Sequence, residues 1–146
     1  MATKFVNPRS NKLAATGLAR RRSPMVWQVL SALFLLAMGG IHLYLVLQWV
    51  SGLLGVLFML NAIGGLALAI AMLATPRRLL GWASVLSLMF IAGTLLALVL
   101  ALTVGLFGIS EQLGTELVVP TLVVEGIGTV VLVVTTALLF WNHREE

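Results

Sequence analysis

Four long apolar runs divide this chain, and every lysine and arginine falls in the segments on one side of them. About 20 consecutive apolar residues are enough for a helix to cross a hydrocarbon core ~30 Å thick. The pattern therefore predicts an all-α fold: a four-helix transmembrane bundle, up-down-up-down. Its spans fall at about 25–48, 53–75, 80–105 and 118–141, within a transmembrane domain covering residues 25–141. Trp27 and Trp49 bracket the first span, and the steps between them correspond to ~33 Å at ~1.5 Å per residue.

Orientation follows from the cations. All nine Lys and Arg lie in the N-terminal segment, at Arg77-Arg78 or at Arg144, and the other two connections have none. Basic residues are retained in the cytoplasm, so an even number of spans puts both termini there. Arg20, Arg21, Arg22, Arg77 and Arg78 serve as topology anchors, and Trp27, Trp49, Trp82 and Trp141 as interfacial ones. Residues 1–24 are basic, acid-free and without apolar periodicity, and read as a disordered cytoplasmic tail. Near anionic lipid headgroups each cation could contribute about 1 kcal/mol of attraction. Residues 142–146 form a second, short tail. The reading places the chain in the cell's inner (plasma) membrane. An organellar membrane stays open, since an acid-free, arginine-containing leader also has the composition of a transit peptide. Arg21-Arg22 does not open a twin-arginine signal, because the apolar run that follows is too long and three more come after it.

Composition narrows the function classes. At 60% hydrophobic, 10% charged and mean hydropathy +1.09, the chain has lipid as its solvent. The net charge of +4 does not imply nucleic acid, because the cations sit at helix ends. With no cysteine, disulfides, thiolate metal sites, thiol redox chemistry and palmitoylation are all excluded.

Lipid tails are as apolar as leucine, so spans associate through close backbone approach at small residues rather than through burial. Gly93, Ala97, Ala101 and Gly105 recur at four-residue spacing on the third span and predict a helix–helix contact, within one chain or between copies. Gly65 with Ala69 and Ala67 with Ala71 do the same on the second span, Gly39-Gly40 on the first, and Gly126 and Gly128 on the fourth.

Few polar groups enter the spans. Glu125 is the only carboxylate in one, and an ionised carboxylate far from water costs several kcal/mol. His42 lies about 10 Å from the outer boundary, Asn61 about 12 Å and Glu125 about 8 Å, counting ~1.5 Å per residue from Trp49, Leu53 and Pro120. Three helices thus bring polar groups to one layer, with Thr103 of the third span near it and Tyr44 slightly above. The layer could be a hydrogen-bonded knot fixing helix register. It could instead be a candidate intramembrane site for protons, cations or a polar headgroup. The groups could also fail to meet, because equal depth does not set azimuth.

No metal site or cofactor is expected: zinc favours paired ligands on one helix turn, and His42 and His143 lie at opposite faces. Ser110 lacks a nearby histidine and no Gly-x-Ser-x-Gly elbow occurs, so no catalytic residues are assigned. Ile109, Leu113 and Leu117, with Glu111, Gln112 and Glu116 between them, predict a short interfacial helix capping the outer face.

The stretch from Gly40 to Leu45, with Leu57 to Ala62, resembles uncharacterised small four-span integral membrane proteins of actinobacteria. The likeness covers about the first half of the chain. It implies topology rather than activity, and it includes His42 and Asn61. Small multidrug transporters also have four spans and one membrane glutamate, but theirs lies in the first helix. The expected function is a non-enzymatic accessory or assembly subunit that contacts the bilayer and either other membrane subunits or its own copies. The alternative is a proton- or cation-coupled transport element using Glu125 with His42 and Asn61.

Overall fold

The structure, a computed structural model, describes residues 8–48, 52–105 and 117–143. Four helices carry the chain: α1 (Pro8–Leu47), α2 (Gly52–Ala74), α3 (Arg77–Thr103) and α4 (Val118–His143). Each contains a stretch long and apolar enough to cross a membrane: Met25–Leu47, Gly52–Ala74, Arg77–Thr103 and Val118–Trp141. These are the expected spans to within a few residues. Trp49 and the expected capping helix over residues 109–117 fall outside the described residues, apart from Leu117.

Two boundaries differ from expectation. Residues 8–24 are helical and continuous with the first span, where the sequence reads as disordered. Extending an established helix by a residue adds a hydrogen bond without the cost of nucleation. Pro8 suits the first helical position, and the Ala, Leu, Lys and Arg that follow propagate a helix well. Arg77 and Arg78 are not a turn but the first residues of α3, with Pro76 before them as its cap. Cations at a helix N-terminus oppose its dipole by about 0.3–1 kcal/mol. An arginine at the bilayer centre costs about 2.5–3.5 kcal/mol. The chain accepts the smaller cost. At the far end, α3 stops where Gly105 takes φ 78°, a left-handed residue that costs glycine little after a helix.

The bundle is a ring in which α1 packs on α2 and α4, and α4 on α3, while the α2–α3 seam is the thinnest. Leu35, Met38, Met72, Ile91 and Leu132 are fully buried in the bundle, together with the polar Ser31, Ser84, Ser87, Thr135 and Glu125. The closest backbone approach joins α1 to α2. A Cβ on Gly65 would lie 2.8 Å from the Leu35 carbonyl oxygen and 3.2 Å from Gly39 Cα. Ala62 and Ala69 are buried along the same side of α2, so the Gly65–Ala69 pair lies at a seam. The Gln28 side chain donates to the Met72 carbonyl across it.

Within this chain the expected ridge on α3 is buried only at Ala101. Gly93 is exposed, and a Cβ there would meet nothing within 4 Å. Ala97 is half-buried and Ala101 buried, while Gly105 ends the helix. The buried side of α3 runs through Leu80, Gly81, Ser84, Ser87 and Ile91. Gly93 is two residues beyond Ile91, about 200° around a helix of 3.6 residues per turn, and so faces outward.

Candidate functional site: polar groups inside the bundle

Polar groups gather in two tiers. The first lies toward the end bearing Arg77 and Arg78, here called the basic end. Ser31 and Thr135 share a hydrogen bond of 2.9 Å between α1 and α4, and Ser84 and Thr136 one of 2.6 Å between α3 and α4. Ser31 also donates to the Trp27 carbonyl. Thr135 is within reach of both the Val131 and Trp27 carbonyls. The hydroxyls of Ser31, Ser84, Thr135 and Thr136 thus each have a partner on their own helix or the next one. Sequence reasoning missed this tier because serine and threonine can bond back to their own backbone and demand no distant partner. The available signal was the helical spacing of Ser84 and Ser87 with Ile91.

Such interhelical bonds average about 0.6 kcal/mol in membranes. A double-mutant cycle on Ser84→Ala and Thr136→Val, read by unfolding in detergent, is expected to give a coupling near ~0.6 kcal/mol and below ~1.7. A coupling indistinguishable from zero would mean that the two hydroxyls are not paired.

The second tier contains the residues singled out by depth. Cross-helix bonds give the register of the antiparallel helices. From the Ser31–Thr135 pair, eleven residues along α1 reach His42 and eleven back along α4 reach Val124. Glu125 is therefore nearly level with His42. From the Gln28–Met72 pair, fourteen residues in each direction reach His42 and Phe58, whose rings meet edge to face at 5.2 Å. Asn61 is three residues further toward the basic end, about 4.5 Å along α2.

Azimuth separates what depth brings level. His42 is buried and faces α2, against Phe58, with Nδ1 donating to its own Met38 carbonyl at 2.9 Å. Glu125 is 1% exposed and faces α3, where the Thr94 hydroxyl is within hydrogen-bonding reach of its carboxyl. Asn61 is half-buried. Among the described residues no hydrogen bond joins His42, Asn61 and Glu125.

Thr103 does not belong to this layer. It is exposed, donates to its own Val99 carbonyl at 2.8 Å, and lies nine residues beyond Thr94 on α3, or about 13 Å. Because α3 continues past the layer, Thr94 is the α3 residue at the level of Glu125. Tyr44 is exposed.

Two buried side-chain atoms have no hydrogen-bond partner among the described residues, Ser87 Oγ and Glu125 Oε2. Ile91 lies between them along α3. Its Cδ1 fills the space at Gly128, where a Cβ would come within 2.6 Å of it. One turn of α4 separates Gly128 from Glu125, and Thr121 is buried a turn further on, with its hydroxyl on the Leu117 carbonyl at 2.6 Å. A single interior carboxyl of this kind can take and release a proton. Among the described residues no group of three His, Asp or Glu side chains is placed to hold a metal ion. No protein-family model, curated protein or solved structure matches the chain, so its own geometry must carry the functional reading of this multi-pass membrane protein.

Proposed function

We propose that this small polytopic membrane protein is a non-enzymatic accessory or assembly subunit of a larger membrane complex, in the plasma membrane with both termini cytoplasmic. The observation that carries the reading is a pair of outward glycines, Gly40 on α1 and Gly93 on α3. Both are exposed, and a Cβ on either would meet nothing within 4 Å. Close-approach positions in membrane helices serve helix contacts, and the bundle leaves these two unused while Gly39 and Gly65 hold its own seam. The interior supports the same reading, because the hydroxyls of the first tier are spent on locking helices together. Arg77 and Arg78 are exposed at the start of α3, where anionic headgroups would attract them. The likeness to four-span actinobacterial proteins fits the same topology.

Affinity purification from native membranes, with the co-purifying chains identified, tests this. Gly93→Leu and Gly40→Leu should reduce recovery of a stoichiometric partner at least fivefold while the bundle itself elutes unchanged. Recovery of the same partner in full with both substitutions would remove the proposal.

A second reading, a proton-coupled transport element, is favoured by the unpartnered oxygen of Glu125. Here Glu125→Gln should abolish flux in vesicles without altering folding.

A further inference from the structure

The two unpartnered buried atoms flank a single side chain, and that arrangement points to a path. Ser87 and Thr94 lie seven residues apart on α3, about 10 Å, with Ile91 between them and on their side of the helix. Below Ser87, toward the basic end, stand two hydroxyl pairs, Ser84 with Thr136 and Ser31 with Thr135. Above Ile91 stand Thr94 and Glu125, and then Thr121, which is already within a turn of the start of α4. Met38 is level with Gly128 by the same register and closes the layer from α1. A buried oxygen without a partner normally has an ordered water to bond. Here a flexible aliphatic side chain, Ile91, stands between Ser87 and Thr94 along α3 with its end resting on Gly128.

We infer that Glu125 is a proton-binding site reached from the basic end past the Ser31–Thr135 and Ser84–Thr136 pairs and Ser87, and that Ile91, seated on Gly128, is the stop that closes this path. The inference rests on the second reading above and adds a route and a gate to it. The ligand is a proton carried by water. It adds to one carboxylate oxygen of Glu125 as an O–H bond of a donating hydronium breaks and leaves neutral water, and it departs toward Thr121 by the reverse step, onto a water that becomes hydronium. Of the elements packed on α4, α1 brings one titratable group to this level, His42, whose Nδ1 is committed to Met38 and whose ring lies against Phe58. Along the described side of α3 at this level the polar group is the neutral Thr94.

The test is a proton leak. The full chain is reconstituted into sealed vesicles carrying a pH-sensitive dye, and an imposed pH gradient is followed. Ile91→Ser should dissipate the gradient at least tenfold faster than wild type. Adding Glu125→Gln should return the leak to the wild-type rate, and adding Ser87→Ala should slow it severalfold. Where Ile91→Ser does not give a monodisperse protein, Ile91→Ala replaces it with the same expectation. Vesicles that stay as tight as wild type would overturn the inference, as would a leak indifferent to Glu125→Gln. The two readings fail separately. A wild-type chain with no ion flux beside a leaky, Glu125-dependent Ile91→Ser chain removes coupled transport and leaves the path. Wild-type flux lost in Glu125→Gln, beside a tight Ile91→Ser chain, does the reverse.

Discussion

Replacing Gly65 with leucine should leave no folded bundle, and even Gly65→Ala should lower stability by about 1–3 kcal/mol, the usual cost of forcing a methyl into a packed contact. The first atom its Cβ meets is the Leu35 carbonyl oxygen at 2.8 Å, followed by Gly39 Cα at 3.2 Å. Both are backbone atoms, so neither can rotate away, and relief requires α1 and α2 to separate. Separation in turn strains the Gln28–Met72 bond and opens the side buried at Ala62 and Ala69. Alanine's better helix propensity returns about 1 kcal/mol at most, less than the clash removes. Gly93→Ala is the control: its Cβ meets open space, so the same substitution should be neutral or slightly stabilising. Unfolding titrations in detergent read both. Equal midpoints for the two variants would mean that the close approach is not a structural requirement.

The second large effect has the opposite sign. Glu125→Leu should raise stability by about 1–3 kcal/mol, the ordinary cost of a buried polar atom left without a partner. Leucine has a similar volume, and the loss strands nothing, because the Thr94 hydroxyl keeps its 2.8 Å bond to the Ile91 carbonyl. Glu125→Gln keeps a polar end in the same place and should stay near wild type. The same titration measures all three chains. A clear loss in Glu125→Leu would mean that the carboxyl is held by an interaction worth more than its desolvation.

The spans could be read from sequence because hydropathy and charge act along one axis, the bilayer normal. Depth along that axis was therefore legible as well, and His42, Asn61 and Glu125 do lie near one level. Azimuth was not. A helix in lipid gains little by turning one apolar side inward rather than another, so the sequence holds no strong amphipathic stripe to orient it. The Gly93–Gly105 spacing marks a contact side without saying whether the contact is inside the chain or outside it, and inside the chain Gly81, Ser84 and Ser87 mark the buried side of α3. Their small size and weak polarity look incidental until a partner such as Thr136 stands opposite. Thr103 was misplaced. It stands at the outer end of α3, which falls within two residues of expectation, whereas the layer crosses α3 nine residues further in, at Thr94. The helical continuation from Pro8 was hidden because a basic, non-periodic segment shows no face to bury, although it can still prolong a helix that the membrane already stabilises.

The unequal seams have a consequence for assembly. The α1–α2 seam is the most extensive, α3–α4 and α1–α4 are about equal, and α2–α3 is the thinnest, with Phe90 set against Gly64. The α1–α2 hairpin can close as soon as it enters the bilayer, whereas the α3–α4 and α1–α4 joins both wait until translation has delivered the last helix.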